Sequence, residues 1–122
     1  MTQAAAKLSQ RSPQEVFQHH VEALGGENVD GILMDYAETS RVITPDGVSQ
    51  GKEAIRKVFN ELIATVPKAQ WSIKTTFSEN ILFLLWTADS DPASISDGVD
   101  TFIFKDGMIE VQTVRYTAVP KK

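Results

Sequence analysis

The sequence predicts an α+β domain, with helices gathered in its first half and packed on one face of a curved, mostly antiparallel sheet. Three observations carry this expectation. Before Pro67 apolar residues recur at helical spacing, above all at Ile55, Val58, Phe59, Leu62, Ile63 and Val66. After Pro67 the period switches to two, as Trp71, Ile73 and Phe77 alternate with Ser72, Lys74 and Thr76. Near the end of the chain two β-rich runs flank Lys105-Asp106-Gly107, and Asp-Gly between such runs is a strong hairpin signal. Helices first and strands last is the signature of an α+β architecture, here in the order α-α-β-α-β-β-β-β.

The elements follow in order. Residues 1–11 are small and polar without periodicity, which predicts a frayed tail, and residues 119–122 a second one, leaving 12–118 as a single domain. Ser12-Pro13-Gln14-Glu15 opens the first helix: Ser12 caps, Pro13 suits the first turn, and Glu15 completes a capping box. Val16, Phe17, His20, Val21 and Leu24 form its apolar stripe, Gly25-Gly26 ends it, and His19 falls about 100° away, toward solvent. Asn28 caps a short second helix from Val29 to about Tyr36 with Ile32, Leu33 and Tyr36 inward. Ser40 to Thr44 reads as a strand, turned by Pro45-Asp46-Gly47. The third helix follows Gly51 and stops at Pro67. Beyond the Trp71–Phe77 strand, Ser78-Glu79-Asn80 turns into Ile81 to Trp86, apolar on both faces and so a central strand. A polar connection from Ala88 to Ala93 leads to the closing hairpin.

Composition narrows the function classes. At 122 residues the chain is one domain able to bury a core without staples. A net charge of −4 with no Lys/Arg cluster argues against nucleic acid as a partner. No apolar run approaches the roughly 20 residues of a membrane span, and Ala4-Ala5-Ala6 is too short for a signal-peptide core, so a cytoplasmic location is expected. With no cysteine there is no disulfide, thiolate metal site or cysteine nucleophile. His19 and His20 are adjacent, hence on different sides of their helix, and no third ligand has useful spacing, so no metal is expected. No phosphate loop, nucleophile elbow or dinucleotide fingerprint occurs, and no cofactor is expected.

One residue breaks the pattern of its strand. Asp100 shares a face with Phe102 and Phe104, and a carboxylate in an apolar row is costly unless paired or protonated. That makes Asp100 the leading candidate for chemistry. The competing reading is a structural group bonded to nearby backbone or to Gln112.

Several phrases resemble the nuclear-transport-factor-2-like superfamily, and within it the SnoaL-like and ketosteroid-isomerase-like branch. They are Val29-Asp30-Gly31-Ile32 with Tyr36-Ala37, Gly51-Lys-Glu-Ala-Ile-Arg56, and Gly98-Val-Asp-Thr-Phe102 with Asp106-Gly107-Met108-Ile109. The resemblance covers roughly residues 13–117. It implies a cone-shaped sheet wrapped around the long third helix, a pocket at the open end, and a homodimer formed through the outer sheet face. The strand Ile81–Trp86, apolar both ways, calls independently for a cover on that outer face.

The resemblance also implies roles. In the steroid-isomerase branch an aspartate matching Asp100 is held protonated in an apolar pocket and donates to an oxyanion. His20 matches the first-helix position where that branch has its oxyanion-hole tyrosine. The general-base aspartate falls on Thr44, which cannot take a proton from carbon, while Asp46 in the turn is expected to be solvated. The mechanism that remains is an ionised Asp100 as base with His20 orienting it or serving as conjugate acid, as in SnoaL-like cyclases. Phe17, Leu33, Tyr36, Thr44, Phe59, Trp86, Phe102, Phe104, Gln112, Val114 and Tyr116 are the expected liners of an apolar pocket, against the plain alternative of core packing. Trp71 is assigned to the dimer face. Two functions stay open: an acid–base enzyme without a cofactor acting on a small hydrophobic carbonyl compound, or a non-catalytic ligand-binding or dimerisation domain. An open cavity faced by Asp100 and His20 favours the first, and a cavity filled by Phe59, Trp86 and Tyr116 the second.

Overall fold

A computed structural model describes residues 8–121; the first seven residues of the expected N-terminal tail, and Lys122, lie outside that range. The described elements are α1 (Pro13–Gly25), α2 (Val29–Leu33), β1 (Tyr36–Thr44), β2 (Gly47–Gln50), α3 (Lys52–Thr65), β3 (Gln70–Ser78), β4 (Ile81–Asp89), β5 (Ala93–Lys105), β6 (Met108–Arg115) and β7 (Ala118–Pro120). The strands make one curved, open sheet of seven in the order β2-β1-β6-β5-β4-β3, with β7 against the start of β5. All pairings are antiparallel except that of β1 with β6. The α+β class and the mostly antiparallel curved sheet are as the sequence predicts.

Local chemistry explains the ends of the elements. The Ser12 hydroxyl accepts from the Glu15 amide at 3.1 Å and the Glu15 carboxylate from the Ser12 amide at 2.8 Å, closing the capping box that starts α1. Gly51 caps α3 in a left-handed conformation at φ 87°, and the free Lys52 amide donates to Glu38 at 2.8 Å. Ile55, Phe59 and Leu62 are the buried stripe of α3. The β5–β6 turn places Asp106 and Gly107 at φ 52° and 72°, the two positive values that a two-residue hairpin favours.

The element boundaries differ from expectation at several points. The second helix stops at Leu33 because Asp35 and Tyr36 are claimed by β6: the Asp35 carbonyl accepts from the Ile109 amide at 2.7 Å, and Tyr36 pairs with Ile109. β1 therefore begins at Tyr36 rather than Ser40, with a register irregularity before Arg41 that Ser40 stabilises by donating to the Ile109 carbonyl at 2.6 Å. Beyond the Pro45-Asp46 turn the chain pairs back as β2, a strand too short and polar for its periodicity to reveal. The polar connection shrinks because β4 runs to Asp89 and β5 starts at Ala93, and Val119 and Pro120 of the expected C-terminal tail belong to β7.

Arg11, also assigned to a tail, is tied into the fold. It donates to Asp35 at 2.8 Å and to the Gly107 carbonyl at 2.8 Å. His19 does not simply face water either: its Nδ1 donates to the same fully buried Asp35, 2.8 Å from Oδ1. Burial pushes the Asp35 carboxyl up, and its bonds to His19 and Arg11 oppose the rise.

The sheet has two different faces. On β4, Leu82, Leu84 and Trp86 are buried beneath the helices, whereas Ile81, Phe83 and Leu85 are 42–46% exposed on the outer side. Among the described residues no helix is long and apolar enough to cross a membrane.

Candidate functional site

Period two sends Asp100 and Phe102 of β5 inward, and pairing with β4 and β6 sets what surrounds them. Leu84 and Val114 stand directly opposite Asp100, while Gln112 stands opposite Phe102. Asp100 is 5% exposed. Its Oδ1 accepts from Trp86 Nε1 at 2.8 Å and its Oδ2 from Gln112 Nε2 at 2.8 Å. The Gln112 amide is oriented in turn, because its Oε1 accepts from the hydroxyl of fully buried Tyr36. Tyr36 stays protonated, its pKa pushed well up by burial and by the nearby Asp100 and Asp35.

These bonds fix the chemical character of Asp100. Burial pushes its pKa up to about 6, and the donors Trp86 and Gln112 hold it down. Both oxygens face N–H donors, so the site is built around a carboxylate and not around a carboxylic acid that donates outward. Close to neutral pH the group is mostly ionised and basic enough to take a proton.

His20 enters from α1 and packs against Phe102. It is 4% exposed, ringed by Phe17, Tyr36, Phe59 and Phe102 with centroids 5.5–6.3 Å away. Burial, with a smaller contribution from His19, lowers its pKa to about 4, so the imidazole is neutral near pH 7. Its Nδ1 is buried without a hydrogen-bond partner. His20 makes no hydrogen bond to Asp100, which corrects the expectation that it orients that carboxylate: Trp86 and Gln112 do so.

Both residues line a cavity of about 700 Å³ between the helices and the sheet. Of the expected liners Phe17, Thr44, Phe59, Trp86, Phe102, Gln112, Val114 and Tyr116 reach it. Leu33, Tyr36 and Phe104 do not. Leu33 and Tyr36 are packed into the core by the early end of α2, and Phe104 lies one step nearer the hairpin, stacked between Phe102 and Phe77. Trp71, expected at a dimer face, lines the cavity and packs on Trp86 with centroids 5.6 Å apart. Tyr116 also packs on Trp86, with centroids 5.5 Å apart. Asp46 is solvent-exposed as expected, yet with Lys57 and Glu61 it also lines the cavity. Burial, then Glu61, Asp100 and Asp46, raise the Tyr116 hydroxyl pKa, leaving it a hydrogen-bond donor.

Sequence reasoning did not single out Lys57 or Glu61. Their signal was available, since they sit at i+2 and i+6 from Ile55 on the flank of the α3 stripe. Among the described residues no group of three or more His, Cys, Asp or Glu is placed to hold a metal ion.

The chain is similar to known proteins both in sequence profile and in fold. The SnoaL-like domain profile matches residues 17–112, well over half of the chain. A nuclear-transport-factor-2-like protein of unknown function from Cytophaga hutchinsonii superposes with a TM-score of 0.71 at 16% identity, covering 88% of this chain and 92% of that one. A provisional ketosteroid isomerase from Kribbella flavida gives 0.72 at 13% identity, covering 90% and 81%. A provisional polyketide cyclase from Sinorhizobium meliloti gives 0.65 at 15% identity, covering 82% and 93%. No functionally curated protein matches the chain by sequence. The chain belongs to the SnoaL-like family, and it shares the fold of nuclear-transport-factor-2-like proteins.

Proposed function

We propose that the protein is an acid–base enzyme acting on a small hydrophobic carbonyl compound, with Asp100 as general base and His20 as a neutral hydrogen-bond donor. The observation that carries this reading is the pair of donors on Asp100, which keep it a carboxylate beside an open, ligand-sized cavity. Asp100 takes a proton from the carbon next to the carbonyl, and the electron pair moves onto the carbonyl oxygen. The neutral His20 ring donates to that oxygen as it becomes an enolate. Protonated Asp100 then returns its proton to another carbon, giving isomerisation, or to a departing hydroxide, giving dehydration. Isomerase and cyclase descriptions among similar folds are consistent with this class. Proton transfer of this kind requires no electron acceptor. We further propose that the protein works as a homodimer through its outer sheet face.

A second reading keeps a specific support: the Asp100 oxygens are already satisfied by protein donors, as they would be in a structural pair within a non-catalytic binding domain. Exchange of α-hydrogen for deuterium separates the two. Small ketones incubated with the protein in D2O are expected to show catalysed exchange by NMR, with a rate that falls as pH drops below about 6 and Asp100 is protonated. Asp100→Asn is expected to reduce that rate by about 10²–10⁴-fold, the range general-base catalysis supplies, while circular dichroism stays unchanged. Undiminished exchange in the variant ends the catalytic assignment.

A further inference from the structure

We propose that Gly98 is a positioning residue: by carrying no side chain it lets the Trp86 indole lie across β5 and aim its N–H at Asp100. The register makes this necessary. Trp86 on β4 stands directly opposite Gly98, whereas Asp100, two residues along β5, stands opposite Leu84. The indole must therefore lean diagonally over position 98 to reach the carboxylate. A Cβ added at Gly98 would sit 2.2 Å from two indole ring atoms and 2.7 Å from Nε1, closer than any side chain tolerates. Gly98 is itself buried, and its φ is not in the left-handed range, so neither solvent nor backbone conformation accounts for glycine here. Close approach of another group accounts for it.

The consequence is chemical. Trp86 Nε1 is one of two donors to Asp100, and a hydrogen bond to the charged form of a carboxyl favours that form. Displacing the indole leaves Gln112 as the remaining donor and makes Asp100 harder to ionise. The rest of the electrostatic surroundings is unchanged: His20 of α1, Tyr36 of β1, Asp46 of the β1–β2 turn, Lys57 and Glu61 of α3, and Tyr116 just beyond β6. The kinetic meaning of this arrangement rests on the reading of Asp100 as the base. The positioning itself does not.

The test follows the Asp100 carboxyl carbon by NMR across a pH series, without substrate. Trp86→Phe keeps an aromatic ring and removes the donor, and Gly98→Ala displaces the indole. Each is expected to raise the Asp100 midpoint by about one pH unit, as expected for a lost hydrogen bond to a buried carboxylate, and the double variant no further. A Gly98→Ala midpoint equal to wild type overturns the proposal, and so does an unmoved midpoint in Trp86→Phe. Should Gly98→Ala fail to fold, Trp86→Phe in the same chain is expected to rescue it, because the smaller phenyl has no N–H bond to Asp100 holding it over position 98 and can turn away from the added methyl; a double variant that stays unfolded overturns the proposal. Because the readout is a titration, it stands or falls separately from the exchange assay on Asp100→Asn.

Discussion

His20 and Asp100 make opposite contributions to stability across the same pH range. The His20 pKa falls from 6.5 to about 4 on folding, so the unfolded chain binds the proton first. Its contribution is full above pH 6.5 and is lost as pH falls toward 4; at ~1.4 kcal/mol per unit this is about 3 kcal/mol. Asp100 rises from 3.8 to about 6, so its burial is least costly below pH 4 and stability is lost as pH rises through 6. Between pH 4 and 6 the two partly cancel, and a variant exposes either one. His20→Phe fits the aromatic ring around it and cannot be protonated. Urea unfolding at a series of pH values is expected to show the variant gaining about 3 kcal/mol on wild type between pH 6.5 and 4, whatever constant offset its packing adds. A pH-independent difference would mean that His20 is not held neutral. The sequence revealed Asp100 and His20 because each is a polar residue at an apolar position of a clear period. Their actual partners were hidden. The Trp86–Asp100 and Gln112–Asp100 bonds depend on how β4, β5 and β6 are registered, and no single strand carries that information.

Asp35, in the turn between α2 and β1, ties that turn to the entry of α1 through Arg11 and to α1 itself through His19. Arg11 also reaches the β5–β6 turn through the Gly107 carbonyl. Position 107 is closed to side chains, since a Cβ there would lie 1.8 Å from the Leu8 carbonyl oxygen. Arg11→Met retains most of the apolar stem and removes the charge, leaving His19 as the other partner of a carboxylate with no exposure. Breaking a buried pair from one side costs about 3–5 kcal/mol, and His19 keeps the expected loss near the lower end, about 3 kcal/mol at pH 7. The loss is expected to shrink in acid, where Asp35 takes up a proton and no longer needs a cation. Denaturant unfolding at pH 7 and pH 4 measures both, and a loss under about 0.5 kcal/mol at pH 7, the range of an ordinary surface change, would rule out a clamp. The helices α1 and α3 were legible because each buries one periodic stripe, and the strands β3 to β6 because their apolar residues alternate or run continuously between turn signals, even though β3 itself stays largely exposed. β1 was misplaced because Asp35 and Tyr36 continue the pattern of α2 until β6, some seventy residues later, pairs with them. Arg11 read as tail because its partners lie 24 and 96 residues away.

At the scale of the whole molecule, the outer face of the sheet is the largest feature that the cavity does not explain. Ile81, Phe83 and Leu85 are 45%, 46% and 42% exposed, and they pair across β4–β5 with Ile103, Thr101 and Val99. β6 extends the rows with Val111, Thr113 and Arg115. The stripe is apolar and β-branched at its centre, with Lys74 opposite Leu85 and Arg115 opposite Val99 at one end. A contiguous apolar surface of this kind is costly in water and is usually covered. The helices are already committed to the other face, and a sheet face can bury itself against its own copy around a two-fold axis. Sedimentation at micromolar concentration is therefore expected to give twice the 13.5 kDa chain mass. Phe83→Lys with Leu85→Lys places two charges at the centre of the stripe and is expected to yield the monomer. Neither side chain lines the cavity, whose β4 liners are Leu84 and Trp86, so the Asp100 titration should be the same in monomer and dimer. A wild-type monomer at these concentrations would leave the outer face exposed and remove the dimer from the proposal. A double-lysine variant that remains dimeric would place the interface elsewhere.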